Sequence, residues 1–146
     1  MSLEITLIYT ILLVFFTLVL AIRVLDLRNS PVTQFLHSPN RQIDPEMLQR
    51  AIRAHGNLIE NAPLFLILLF LCELNKLDPF YLHAAGIFFF LGRLMHGIGF
   101  GFMLHSPILR IGGMSLTFLG FLILLVHASF ELIRACLLYT SPSPRD

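Results

Sequence analysis

The chain predicts an all-α integral membrane protein, a four-helix bundle with up-down topology. Three observations carry that expectation. Of its 146 residues, 56% are hydrophobic and only 13% are charged, about half the roughly 25% charge of an ordinary soluble domain. Mean hydropathy is +0.79. Four long apolar segments alternate with polar stretches that carry helix-start signals. A single domain of this size has too much surface for its volume to be wetted by so few charges. A soluble enzyme, a disordered chain and a disulfide scaffold are therefore excluded as classes. A net charge of +1 gives no electrostatic basis for binding nucleic acid.

A span needs about 20 mostly apolar residues. Ile5 to Ile22 supplies the first, interrupted only by Thr6, Tyr9, Thr10 and Thr17. Glu4 stands where a leader's basic region would be, and no small-residue cleavage site follows, so the segment reads as a span. Arg23 to Arg41 reads as a polar loop holding Pro31 and Pro39. Asp44-Pro45-Glu46 is a helix start, with an N-cap, a proline at the first helical position and an acid in the first turn. The second helix runs from there to about Leu74, and Asn75 to Asp78 is a turn. Asp78-Pro79 repeats the start signal, and the third helix runs to about Leu104. Ser106-Pro107 opens the fourth, which ends near Ile133. Short connections imply antiparallel neighbours.

The tail from Cys136 to Asp146 breaks the apolar pattern with a Pro/Ser run. It resembles the translation of a sequencing adapter, so residues 136–146 are set apart from a domain over 1–135. Within that domain Cys72 is the only cysteine, which rules out an intrachain disulfide. Among leucines near a helix end, it reads as a buried, inert thiol.

Arginines give the orientation. Arg23, Arg28, Arg41, Arg50 and Arg53 surround the first connection, and Arg110 follows the third. The second connection has Lys76, balanced by Glu73 and Asp78. The positive-inside rule places the first and third connections in the cytoplasm, with Arg134 pointing the other way.

The second helix carries the chemistry. At roughly 100° per residue, Arg50, Arg53, Asn57 and Glu60 fall within an arc of about 80°. Each charge at the centre of a membrane helix costs at least ~2.5 kcal/mol, so such a stripe faces a bundle interior, a wet cavity or the cytoplasm. One reading is structural: Arg53 and Glu60 satisfy each other, or the first turn simply emerges from lipid. The other is a site for a small zwitterionic or anionic ligand, with Arg for carboxylate, Glu for ammonium and Asn for either. Pro63 within the helix predicts a kink that opens room beside Glu60.

Arg53-Ala54-His55-Gly56-Asn57-Leu58-Ile59-Glu60-Asn61-Ala62-Pro63 resembles the R-A-x-x-N-x-x-E-x-x-P signature of the membrane-associated proteins in eicosanoid and glutathione metabolism, the MAPEG family. The resemblance covers about Ile5 to Ile133 and is greatest to the family's bacterial branch, which implies a bacterial inner membrane location. It implies a homotrimer, with glutathione as co-substrate bound between subunits near the cytoplasmic face. Arg53, Asn57 and Glu60 would hold glutathione, together with Arg23 or Arg28 at the end of the neighbouring subunit's first helix.

Arg93, His96 and Phe100 share one face of the third helix, with Gly86 and Gly97. Arg93 matches the family's third-helix arginine. His96 and Phe100 stand where the catalytic eicosanoid enzymes carry tyrosines. The next catalytic arginine of those enzymes has no clear counterpart, since Arg110 falls outside the spacing. Gly92, Gly97, Gly99 and Gly101 read as close helix packing. His37, His83, His105 and His127 show no metal-ligand spacing, and no Ser, His and Asp set is placed for nucleophilic work.

Two functions from different classes follow. The first is a glutathione-dependent transferase or peroxidase for a hydrophobic substrate arriving from the lipid bilayer. A thiol near pKa 8.5 is only a few per cent ionised at pH 7. Arg93 is the expected cation that favours thiolate, and His96 the expected hydrogen-bond donor. The second is a non-catalytic MAPEG-like membrane protein that serves as a binding or scaffold module.

Overall fold

A computed structural model describes residues 3–36, 44–103 and 106–140. It contains four long helices: α1 (Glu4–Leu27), α2 (Pro45–Leu74), α3 (Pro79–Gly101) and α4 (Pro107–Thr140). A 3-10 turn covers Pro31–Leu36 between the first two. All four helices are long and apolar enough to cross a membrane, and the described residues contain no strand. The expectations for Pro39, Arg41, His37 and His105 lie outside the described residues.

The seams follow helical periodicity. α1 buries Tyr9, Leu13, Phe16, Leu20, Val24 and Leu27, steps of three and four that form one stripe. Most of its remaining apolar residues, Ile11 and Phe15 among them, are exposed, as suits a helix solvated by lipid or a partner. The hydroxyls in this apolar helix bond backward to the chain, Thr10 to the Thr6 carbonyl at 2.7 Å and Thr17 to that of Leu13 at 2.8 Å. α2 buries Ala51, Ala54, Leu58, Ala62, Phe65, Leu69 and Cys72 on one stripe and runs on through Pro63. At the centre Phe65 stacks on Phe89 at 3.9 Å, and Phe121 meets both rings edge-on.

Both Asp-Pro starts form as the sequence predicts. Asp44 accepts the Glu46 amide at 2.9 Å, and Asp78 accepts that of Phe80 at 2.8 Å. Three boundaries differ. Arg23 is helical rather than in a loop, because Val24 and Leu27 continue the buried stripe against Ala51 and Asp26 pairs with Arg23 at 3.0 Å. α3 stops at Gly101, short of Leu104. α4 continues past Ile133 and Ala135 to Thr140, with Glu131 and Arg134 paired across one turn at 3.8 Å on its exposed face.

α3 is the central helix, touching each of the others, and it packs most closely on α4. Glycines permit that approach. A Cβ on Gly92 would stand 2.7 Å from the Gly113 carbonyl oxygen and from the Thr117 amide. A Cβ on Gly113 would stand 2.8 Å from the Gly92 carbonyl oxygen. Gly97 faces the Phe16 ring of α1, and Gly86 receives the Tyr9 ring. The packing role read for these glycines holds at Gly92 and Gly97.

Candidate functional site

The end of the bundle that gathers the end of α1, the start of α2, the end of α3 and the start of α4 carries the cations. A cleft of about 550 Å³ opens there, lined by Arg53, Asn57 and Glu60 of α2, His96 and Phe100 of α3, and Arg110 and Met114 of α4, with Ile52 and Gly56. Cavities of a few hundred Å³ are the usual size for small-molecule sites. The spacing of three and four puts Arg53, Asn57 and Glu60 on one face, and that face is the cleft wall.

The charges on this wall are not used up within the protomer. Arg53 and Glu60 are exposed, and neither forms an ion pair or side-chain hydrogen bond among the described residues. The mutual Arg53–Glu60 pairing that a purely structural stripe requires is absent there. Arg50, the fourth member of the stripe, leaves it. Its Nη2 donates to the carbonyl oxygens of Gly99 at 3.2 Å and Met103 at 2.7 Å.

Arg93 lies behind the wall, with 4% of its surface exposed. Its Nε and Nη2 donate to the Thr117 hydroxyl at 2.9 and 2.6 Å. Its Nη1 donates to Oδ1 of Asn57. All three contacts are to neutral groups, so the buried charge is solvated by dipoles rather than cancelled by an acid. His96 is buried and stacks on Phe100 at 4.7 Å, and its ring makes no hydrogen bond among the described residues.

Arg110 changes standing. Its position in the sequence falls outside the expected spacing, yet the turn between α3 and α4 brings its guanidinium to 5.3 Å from the centre of the Phe100 ring. It is exposed and faces the cleft that Arg93 does not line. The only sign of this in the sequence is that Arg110 follows a helix start by one turn. Thr117 was not anticipated at all. Its trace was the spacing of Gly113, Thr117 and Gly120, a small-residue seam on α4.

The two candidates for a contact to a neighbouring subunit separate. Arg23 is engaged inside its own protomer, with Nη1 on Asp26, Nε on the Gly101 carbonyl at 3.3 Å and Nη2 on the Met47 sulfur at 3.5 Å. Arg28 is exposed at the end of α1 and has no side-chain partner among the described residues. Two of the other histidines serve the fold. Tyr9 donates to the His83 carbonyl at 3.0 Å. The His127 ring sits 3.7 Å from that of Tyr81.

Comparison with known proteins identifies the family. The family model described as "MAPEG family" matches residues 6–130. Two curated relatives share 38% identity over 79 residues, the Inner membrane protein YecN of Escherichia coli K12 and that of Escherichia coli O6:H1. Each alignment covers 54% of this chain and 59% of the relative, so the match spans well under two thirds of those proteins. Four spans together with inner-membrane relatives make this a multi-pass inner membrane protein. With a family match over most of its length, and with Arg53, Asn57 and Glu60 of the motif lining one cleft, the chain belongs to the MAPEG family.

Proposed function

We propose that the protein binds glutathione in this cleft and acts as a glutathione-dependent transferase or peroxidase on a hydrophobic electrophile or lipid hydroperoxide. The observation that carries the reading is the charge content of the cleft: Arg53 and Arg110 against the single acid Glu60. Glutathione carries two carboxylates and one ammonium at neutral pH, the complementary set, and guanidinium–carboxylate contacts are the strong ones. The buried charge of Arg93 adds to the preference for an anion.

A homotrimer completes the site in this reading. Arg53 and Glu60 look outward from the protomer, and the free Arg28 of a neighbour is the basic residue able to close over the ligand. Of the two cations open to the cleft, Arg53 is given to a carboxylate beside Asn57 and Glu60, and Arg110, on the other wall, is the one to sit beside the sulfur, where a positive charge lowers a thiol pKa. Arg93 holds the wall, and His96 is placed to donate to the thiolate.

In transfer, the thiolate sulfur attacks the electrophilic carbon, a C–S bond forms and the leaving group departs with its electron pair. With a hydroperoxide, sulfur attacks the terminal oxygen and the O–O bond breaks. The alkoxide takes a proton, and the sulfenic acid condenses with a second glutathione to give disulfide and water. Both co-substrates are apolar enough to arrive through lipid along the exposed Ile111 and Met114 of α4.

The test is calorimetric titration of the detergent-solubilised protein with glutathione, paired with ultraviolet thiolate absorbance at neutral pH. Binding with a thiolate signal supports the reading, and no binding at millimolar glutathione removes it. Binding without thiolate or turnover moves the protein to the second reading, a non-catalytic binding module. Phe100 favours that alternative, because it puts a ring without a hydroxyl where the catalytic eicosanoid enzymes have tyrosine.

A further inference from the structure

The Thr117 hydroxyl has its whole hydrogen-bonding capacity committed. A hydroxyl has one proton and two lone pairs. The proton goes to the Gly113 carbonyl oxygen at 2.7 Å, and the oxygen accepts from both Nε and Nη2 of Arg93. The donation to Gly113 fixes the rotor and turns both lone pairs toward the guanidinium. Thr117 is only 1% exposed, so water does not compete. The reach across from α4 depends on the bare backbones of Gly92 and Gly113, where a Cβ would stand within 2.8 Å of the opposite helix.

The far side of Arg93 meets Asn57. A guanidinium has donors and no acceptor, so the amide atom facing it must be the oxygen. The remaining amide nitrogen of Asn57 has no partner among the described residues, and it is not among the buried unpaired atoms. Asn57 lines the cleft. Which amide atom lies toward the guanidinium is therefore fixed from behind.

We propose that Thr117 is a positioning residue that acts through Arg93 to fix the Asn57 amide with its oxygen turned to the guanidinium and its nitrogen, a hydrogen-bond donor, offered to the cleft. The inference rests on the glutathione reading of the cleft and sharpens it. The ligand group at Asn57 is an acceptor, a carboxylate or a peptide carbonyl, and the ligand's ammonium is left to Glu60. Three helices thus form one line, from the α4 hydroxyl through the α3 guanidinium to the α2 amide.

The test compares Thr117→Val, which keeps the shape and removes the hydroxyl, with Thr117→Ser, which keeps the hydroxyl. Both are made in the full chain with assembly checked by native mass spectrometry. Thr117→Val is expected to weaken glutathione about tenfold by calorimetry, or ~1.4 kcal/mol, and Thr117→Ser to stay within about twofold. In an Asn57→Ala background Thr117→Val should cost nothing further, because its effect passes through the amide. An unchanged affinity in Thr117→Val, or losses that multiply across the double variant, overturns the proposal. If the unaltered protein binds no glutathione, the reading of the cleft fails and the line is read from melting temperatures instead. Non-additive shifts for Thr117→Val and Asn57→Ala, becoming additive in Arg93→Leu, support it. Additive shifts with Arg93 present overturn it.

Discussion

Glu73 at the end of α2 closes its carboxylate over Ile5 at the start of α1. Oε1 accepts the Ile5 amide at 2.9 Å, and Oε2 accepts the next amide, that of Thr6, at 2.7 Å. The first amides of a helix have no partners of their own, and here a carboxylate from another helix supplies them. Capping of this kind is worth about 1–2 kcal/mol. Glu73→Ala should lower stability by that amount in thermal unfolding. Glutathione affinity should not change, since the cleft lies at the opposite end of the bundle.

Gly113→Ala should be much harsher than Gly56→Ala. The new methyl at 113 meets backbone of α3 at 2.8 Å, and overpacking costs roughly 1–3 kcal/mol or more. At Gly56 nothing lies within 4 Å, so alanine should raise stability by about 0.5–1 kcal/mol through helix propensity. Its methyl would enter the cleft, so the same variant should bind glutathione less well. Unfolding curves and titrations of the two variants check both signs.

Arg53→Ala and Glu60→Ala should each lose glutathione by about 10- to 100-fold, the worth of a hydrogen bond to a charged group. Folding should survive in both, because neither side chain has a partner to strand among the described residues. Native mass spectrometry showing intact assemblies, together with flat calorimetric titrations, is the expected pair of results. Collapse of the assembly in both variants would return the stripe to a structural role.

Arg110→Leu should separate thiol ionisation from binding. A cation beside the sulfur lowers the pKa of bound glutathione, and each unit is worth about 1.4 kcal/mol. Without it the thiolate absorbance should titrate at higher pH, so the signal at neutral pH shrinks even when glutathione is raised to restore full occupancy. Arg93→Leu should instead disturb the α3–α4 seam and weaken both.

Cysteines introduced at Ser30 and at Asn75 should label from opposite faces of sealed vesicles. Ser30 follows α1 at the arginine-rich end, and Asn75 caps α2 at the other. The arginine asymmetry puts Ser30 inside. Native mass spectrometry of the same preparations should show trimer as the main species.

The spans and both Asp-Pro helix starts were legible because apolar length and local capping chemistry are properties of short stretches of chain. The face shared by Arg53, Asn57 and Glu60 was legible for the same reason, being set by one helix's own periodicity. Arg110 was not, since its place depends on how the turn between α3 and α4 folds back. The role of Arg93 was not either. A sequence shows a cation on a helix face, but not that a threonine 24 residues later occupies two of its nitrogens. The end of α1 was drawn short because Arg23 read as the start of a polar loop, and that of α4 because the stretch from Cys136 was set apart on its Pro/Ser run. Asp26 with Arg23, and Glu131 with Arg134, compensate each other within one turn.

Arg23 and Arg50 come from different helices and converge on the last carbonyls of α3, at Gly99 and Gly101, and on that of Met103 just beyond it. The C-terminus of a helix presents roughly half a negative charge along its axis, and α3 ends beside the cleft. Left bare, that pole would repel an incoming anion. Arg23 is balanced by Asp26, so the guanidinium of Arg50 is the charge that offsets this pole beside the cleft. For the proposed anionic ligand, part of the attraction would come from residues that need not touch it, and screening by salt should slow capture more than it hastens release.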